Sequence, residues 1–100
     1  MKAKHPRKSP GPRVATCIEV FVEDGQFVGL CRDLNVSSFG DSEDEARRST
    51  REALQLFLEE CRNMGTLEDV LREAGYIHGP SGCWVQREPL LIERVTVEAA

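Results

Sequence analysis

One hundred residues fit a single ordinary domain, and a chain of this size can form one core without disulfides or a metal to rescue it. The formal net charge of −4 averages two unlike parts: residues 1–13 hold Lys2, Lys4, Arg7, Lys8 and Arg13 with no acid, and residues 14–100 hold eight arginines against seventeen acids. A body that acidic argues against nucleic-acid binding by the body itself and fits a basic partner.

Residues 1–13 carry three prolines and five bases without apolar periodicity. Such a segment cannot bury enough surface to offset its ordering entropy, and it reads as a flexible basic arm. Weak contact with nucleic acid or an acidic surface is the functional role open to it; a solubilising tail is the plainer one. From Val14 the pattern changes to period two. Val14, Thr16, Ile18, Val20 and Val22 share one face of a strand, and Ala15, Cys17, Glu19, Phe21 and Glu23 the other. Asp24-Gly25 is a hairpin turn of the type that matches strand twist. Folding back about it sets Val22 opposite Phe27, Phe21 opposite Val28, Val20 opposite Gly29, Glu19 opposite Leu30 and Ile18 opposite Cys31. A third short strand is expected over about 36–39.

Ser42 and Glu45 form an S-x-x-E capping box, and Asp41, Glu43 and Asp44 favour the positive end of a helix dipole. The helix runs to about Arg62 on the apolar stripe Ala46, Thr50, Ala53, Leu54, Phe57, Leu58 and Cys61. Glu43–Arg47 and Asp44–Arg48 are spaced as ion pairs along it. Gly65 suits its left-handed end. A second helix starts at Thr66, whose side chain can cap, carries Leu67, Val70, Leu71 and Ala74, and closes at Gly75. Residues 77–83 read as a loop, and 90–97, β-branched and aliphatic after Pro89, as the last strand. The order is β-β-β-α-α-β. The expected fold is α+β: one mixed four-stranded sheet, strand order 3-2-1-4, with both helices on one face and the last strand parallel to the first. Residues 14–100 then form a single domain.

Phe27-Val28-Gly29-Leu30-Cys31-Arg32-Asp33-Leu34, followed by Ser38-Phe39-Gly40-Asp41-Ser42, Glu45-Ala46 and Glu52-Ala53-Leu54, resembles the HicB-like antitoxin family. There a Cys-Pro-Glu-Leu-type turn leads to Thr-x-Gly-Asp-Thr and then to an amphipathic helix with two Glu-Ala steps. The resemblance covers about residues 14–62, and the second helix and last strand fit its outline. It implies a partial RNase H-like fold without nuclease chemistry. It also implies binding and neutralisation of a small basic ribonuclease toxin, HicA, by protein–protein contact. Arg32 stands where the family commonly has proline. The DNA-binding segment that such antitoxins carry has no counterpart among these residues, so operator binding is not expected. The acidic body suits a basic toxin, because complementary charge speeds and orients encounter.

Other chemistries find little support. RNase H-type catalysis needs carboxylates converging on two metals; Glu19, Glu52 and Glu93 are the trio that could supply them, and Glu52 falls beside the helix stripe rather than on it. His78 and Cys83, with Cys61 and His5, lack the spacing of a zinc site, and the four cysteines form no CxxC pair. Residues 79–82 lack the strand, lysine and helix of a phosphate loop. Trp84 beside Val85 reads as a core or lid residue. No catalytic residue, metal or cofactor is therefore expected. A degenerate RNase H-like nucleic-acid-binding or hydrolysing protein, and a solitary oligomerising domain without a toxin, are the alternatives. The basic start has no apolar core of a signal peptide and no run could span a bilayer, so a cytoplasmic, non-membrane protein is expected. With the helices on one face, Cys17, Phe21, Val28 and Leu30 lie on the other. That face is expected to bind a partner or a second subunit, making the protein a homo-oligomer.

Overall fold

Residues 11–100 are described by a computed structural model. The stretch expected as one first strand is two: β1 (Arg13–Val14) and β2 (Glu19–Glu23), separated by residues without strand pairing. Residues 1–10 of the basic arm lie outside the described residues, and Arg13, assigned to that arm, stands in β1. β3 (Gln26–Cys31) returns antiparallel to β2 in the expected register, with Val22 opposite Phe27, Phe21 opposite Val28, Val20 opposite Gly29 and Glu19 opposite Leu30. Asp24 and Gly25, at φ 50° and 78°, take the left-handed conformations that this hairpin turn needs. β4 (Val36–Gly40) pairs with the far side of β3, so that Phe39 faces Val28 and Ser38 faces Gly29.

α1 (Glu43–Met64) begins where the capping box places it. The Glu45 amide donates to Ser42 Oγ at 3.1 Å, and the Asp41 amide donates to the Glu45 carboxylate. Asp44 pairs with both Arg47, at 2.5 Å, and Arg48, at 2.9 Å, so Arg47 takes Asp44 rather than the expected Glu43. The stripe Ala46, Thr50, Leu54 and Cys61 is buried. Small residues let α1 lie close on the sheet: a Cβ on Gly29 would stand 2.9 Å from the Ala46 carbonyl oxygen and closer still to Thr50 Oγ1. One on Gly40 would meet the Ala46 nitrogen at 2.8 Å. Thr50 is wholly buried and donates its hydroxyl to the Ala46 carbonyl at 2.8 Å, which satisfies it without a partner on the sheet.

Gly65, at φ 75°, ends α1 with its amide on the last-turn carbonyls of Arg62 and Cys61. Thr66 does not cap α2 (Leu67–Glu73) with its side chain; its hydroxyl turns back to the Cys61 carbonyl at 3.3 Å and seals the end of α1 instead. After Gly75, β5 (Tyr76–His78) and β6 (Cys83–Gln86) form a second hairpin, so the stretch 77–83 expected as a loop contributes strand at both ends. β6 also pairs with β1, in parallel, with Val14 opposite Trp84.

The sheet is thus not one four-stranded layer in order 3-2-1-4. The strands form two three-stranded sheets, β2-β3-β4 and β1-β6-β5, within an α+β fold of two helices and six strands. The expected parallel strand exists, but it is Cys83–Gln86. Residues 90–97, stronger strand formers by composition, are unpaired and exposed. Burial of a large side chain decides between the two segments: Trp84 enters the core with Cys31, Leu34, Leu54, Cys61, Leu67, Leu71 and Tyr76. His78 stacks on Trp84 with ring centroids 4.8 Å apart, and the Arg72 guanidinium lies 5.2 Å from the indole. Tyr76 ties the sheets together, its hydroxyl donating to Thr16 Oγ1 at 2.7 Å, with Cys31 Sγ 3.3 Å beyond.

Candidate interaction surface

Strand alternation divides the β2-β3-β4 sheet into two unlike faces. Gly29, Cys31 and Gly40 turn to α1. Glu19 and Phe21 of β2, Val28 and Leu30 of β3, and Ser37 and Phe39 of β4 turn away from it, because opposite residues of a ladder share a face. Of the four residues singled out from sequence, Phe21, Val28 and Leu30 fall on this open side, and Cys17 precedes β2, outside the ladder. Cys17 is exposed, Phe21 is 42% exposed, and Val28 and Leu30 are half-buried. The open side has a further apolar member that the hairpin pattern did not include, Phe39 at 62% exposure. Extending the alternation from Cys31, across Val36, to β4 would have found it, since Phe39 then falls opposite Val28.

Phe21, Val28 and Phe39 therefore form one row across three strands. Charge sits beside it: the Arg32 guanidinium bonds the Glu19 carboxylate at 2.9 Å. In the second sheet Ile77 and Val85 face each other on the side opposite buried Tyr76 and Trp84, and Ile77 is 46% exposed. Exposed aromatic and branched side chains arranged this way lose unfavourable hydration when another surface covers them. Residues 87–100 do not cover the row; they are exposed along their whole length.

The residues weighed for other chemistry are not assembled into a site. Glu19 is engaged by Arg32, Glu52 is on the solvated side of α1, and Glu93 is in the exposed 87–100 segment. Cys61 is in the core and Cys83 half-buried, whereas His78 is on Trp84; His5 lies outside the described residues. Among the described residues no three His, Cys, Asp or Glu side chains come close enough to hold a metal ion. No described helix is long and apolar enough to cross a membrane. Two groups have displaced proton affinities. The neighbouring Arg47 guanidinium, reinforced by Arg48, holds the Asp44 carboxyl below its ordinary range, while burial pushes the Tyr76 phenol up.

Comparison of the chain with protein-family models, with curated proteins and with solved structures finds no match in any of the three.

Proposed function

We propose that this chain is a non-catalytic HicB-like module, an antitoxin or antitoxin-derived protein. Its partner is a small basic ribonuclease toxin of the HicA type, bound and neutralised by protein–protein contact. One observation supports this reading most: a strongly acidic body carries an open sheet face with an apolar row, Phe21, Val28 and Phe39. Apolar centre and charged surroundings divide the labour of such an interface, the first supplying affinity and the second rate and orientation. The family resemblance of residues 14–62 supplies the partial RNase H-like fold and the class of partner.

The test is co-expression with a short basic reading frame adjacent in the genome, followed by affinity capture of the tagged chain. The expected result is co-purification, relief of the frame's growth inhibition, and loss of both when Phe39→Asp is introduced into a still-folded chain. A toxic neighbour that is neither captured nor silenced, or one that Phe39→Asp continues to silence, would refute the assignment or its surface respectively. Incubating the isolated chain with RNA and Mg²⁺ addresses the nuclease alternative; cleavage there would replace the binding-module reading with an enzymatic one.

A further inference from the structure

Residues 90–97 are unusual among the described residues. Leu90, Leu91, Ile92, Val95 and Val97 fall within eight positions, yet none packs on the body, and Ile92 is 82% exposed. The Cα radius of gyration, 17.3 Å, exceeds the roughly 13 Å of a compact chain of this length, as a projecting segment requires. The place where such a strand would fit also exists. β2 pairs with β3 on one side, and among the described residues no strand runs along its other edge. Leading up to the start of that edge, between residues 14–18 and α1, runs a groove of about 390 Å³ lined by Val14, Thr16, Ile18, Leu54, Leu58 and Arg51.

The register connects the two. β1 and β6 run parallel with Arg13 opposite Cys83 and Val14 opposite Trp84. Carried on unbroken, that pairing would bring Leu90-Leu91-Ile92 alongside Val20-Phe21-Val22. The chain instead leaves the sheet after Gln86, and Pro89 supplies no amide for a ladder at that point. Leu90-Leu91-Ile92 and the vacant edge therefore match in direction and apolar character, but one copy does not bring them together. Exchange of such an element between two copies satisfies both at once.

We propose that the chain forms a two-fold dimer in which residues 90–97 of each copy add as a strand to the free edge of β2 in the other. Leu90 and Ile92, which that register sets beside Val20 and Val22, face the groove over Leu54 and Leu58, whereas Leu91 falls beside Phe21 on the other side. This inference stands apart from the toxin-binding reading, since it uses the edge of β2 and not its open face.

Sedimentation of the full chain and of Ile92→Asp tests it. Ile92 makes no core contact within one copy, so the variant is expected to keep its helical circular dichroism. The expected masses are about twice 11.2 kDa for the full chain and 11.2 kDa for the variant. A photoreactive residue in place of Leu90 should link, in the double-mass species, to peptides of another copy spanning 14–22 or 51–58. A full chain of single mass overturns the proposal, as does a dimer that Ile92→Asp leaves intact or cross-linking confined to one chain. A dimer abolished by Phe39→Asp but not by Ile92→Asp would place self-association on the open face. Should Ile92→Asp fail to fold, the cross-link alone decides. Toxin capture is read separately, so either result can fail without the other.

Discussion

The two faces of the β2-β3-β4 sheet are built from one strand alternation but answer to different constraints. On the α1 side the side chains shrink to nothing or to a methyl at the closest approach: Gly29 against Ala46 and Thr50, and Gly40 against Ala46. On the other side the same strands present Phe21, Val28 and Phe39 to the surroundings. A residue of the closed face is chosen by the space left to it, so its replacement is felt as lost stability. A residue of the open face is held by little within the chain, and its replacement is felt only when something binds there.

The sharpest way to break that comparison is to add volume at one strand position on the closed side. Gly29→Val forces Cβ and two methyls into the Thr50 side chain and the Ala46 carbonyl, the second of which belongs to the helix backbone and cannot rotate aside. Overpacking of this kind costs about 3 kcal/mol, enough to lower the melting temperature by roughly 12 °C or more. Ser37→Val, on the neighbouring strand and the open side, adds similar volume and should change the melting temperature by a few degrees at most. Equal effects in differential scanning calorimetry would show that the two faces are not distinguished by packing.

A second effect is expected where the two sheets meet. Thr16→Val removes the acceptor of the Tyr76 hydroxyl, which donates to Thr16 at 2.7 Å from a side chain 2% exposed. An orphaned buried hydroxyl costs about 1–3 kcal/mol. Tyr76→Phe in the same chain removes the orphan and should recover part of that loss, which a double-mutant cycle by urea unfolding measures. The phenol also predicts a pH dependence. Its proton affinity in the folded state lies above the ordinary value of 10.0, because burial opposes the phenolate. Its contribution is therefore complete below pH 10.0 and is lost as pH rises through the folded value. Tyr76→Phe should flatten that alkaline fall in stability; an unchanged profile would assign the fall to other groups.

These contrasts also explain what could be read without coordinates. The β2–β3 register was legible residue by residue, since a two-residue turn fixes a hairpin and Asp24-Gly25 declares one. α1 was legible for the same reason: its cap, its stripe and its terminal Gly65 are local signals that agree with one another. The last strand was not. Residues 90–97 have the better strand composition, but Cys83–Gln86 has Trp84, and the gain from burying an indole depends on Leu67, Leu71 and Tyr76 being gathered around it. That gain is tertiary and leaves no periodic trace in the chain. The break between β1 and β2 is of the same kind, because Thr16 is drawn towards Tyr76, sixty residues away. Of the open face, Phe21, Val28 and Leu30 followed from the hairpin alone, whereas Cys17 lies before the paired strand and Phe39 required carrying the alternation across one more strand.

On the open face, Phe39→Ser should leave unfolding by heat or urea within about 0.5 kcal/mol of the parent, because the side chain is 62% exposed and removing it opens no cavity. Its effect belongs in a binding measurement, where capture of a basic partner should weaken. If calorimetry instead records a loss comparable with that of Gly29→Val, Phe39 is part of the core of an obligate assembly and the open face is never open in solution.

The smallest effect is expected furthest from either face, at the exposed first turn of α1. Asp44 interacts with Arg47 and Arg48 and also sits at the positive end of the helix dipole. Arg47 chiefly, with Arg48, lowers its folded-state proton affinity below the ordinary value of 3.8. The stabilisation is therefore present above pH 3.8 and disappears as pH falls through the still lower folded value. Solvent screens a pair this exposed, so the change should be detectable as a shallower acid limb rather than as a large shift at neutral pH. Asp44→Asn should reduce that acid-side slope in urea midpoints measured from pH 5 downwards, and added salt should erase the difference between variant and parent. A variant that loses as much stability as Gly29→Val would mean that the start of α1, and not its close seat on Gly29 and Gly40, holds the helix to the sheet.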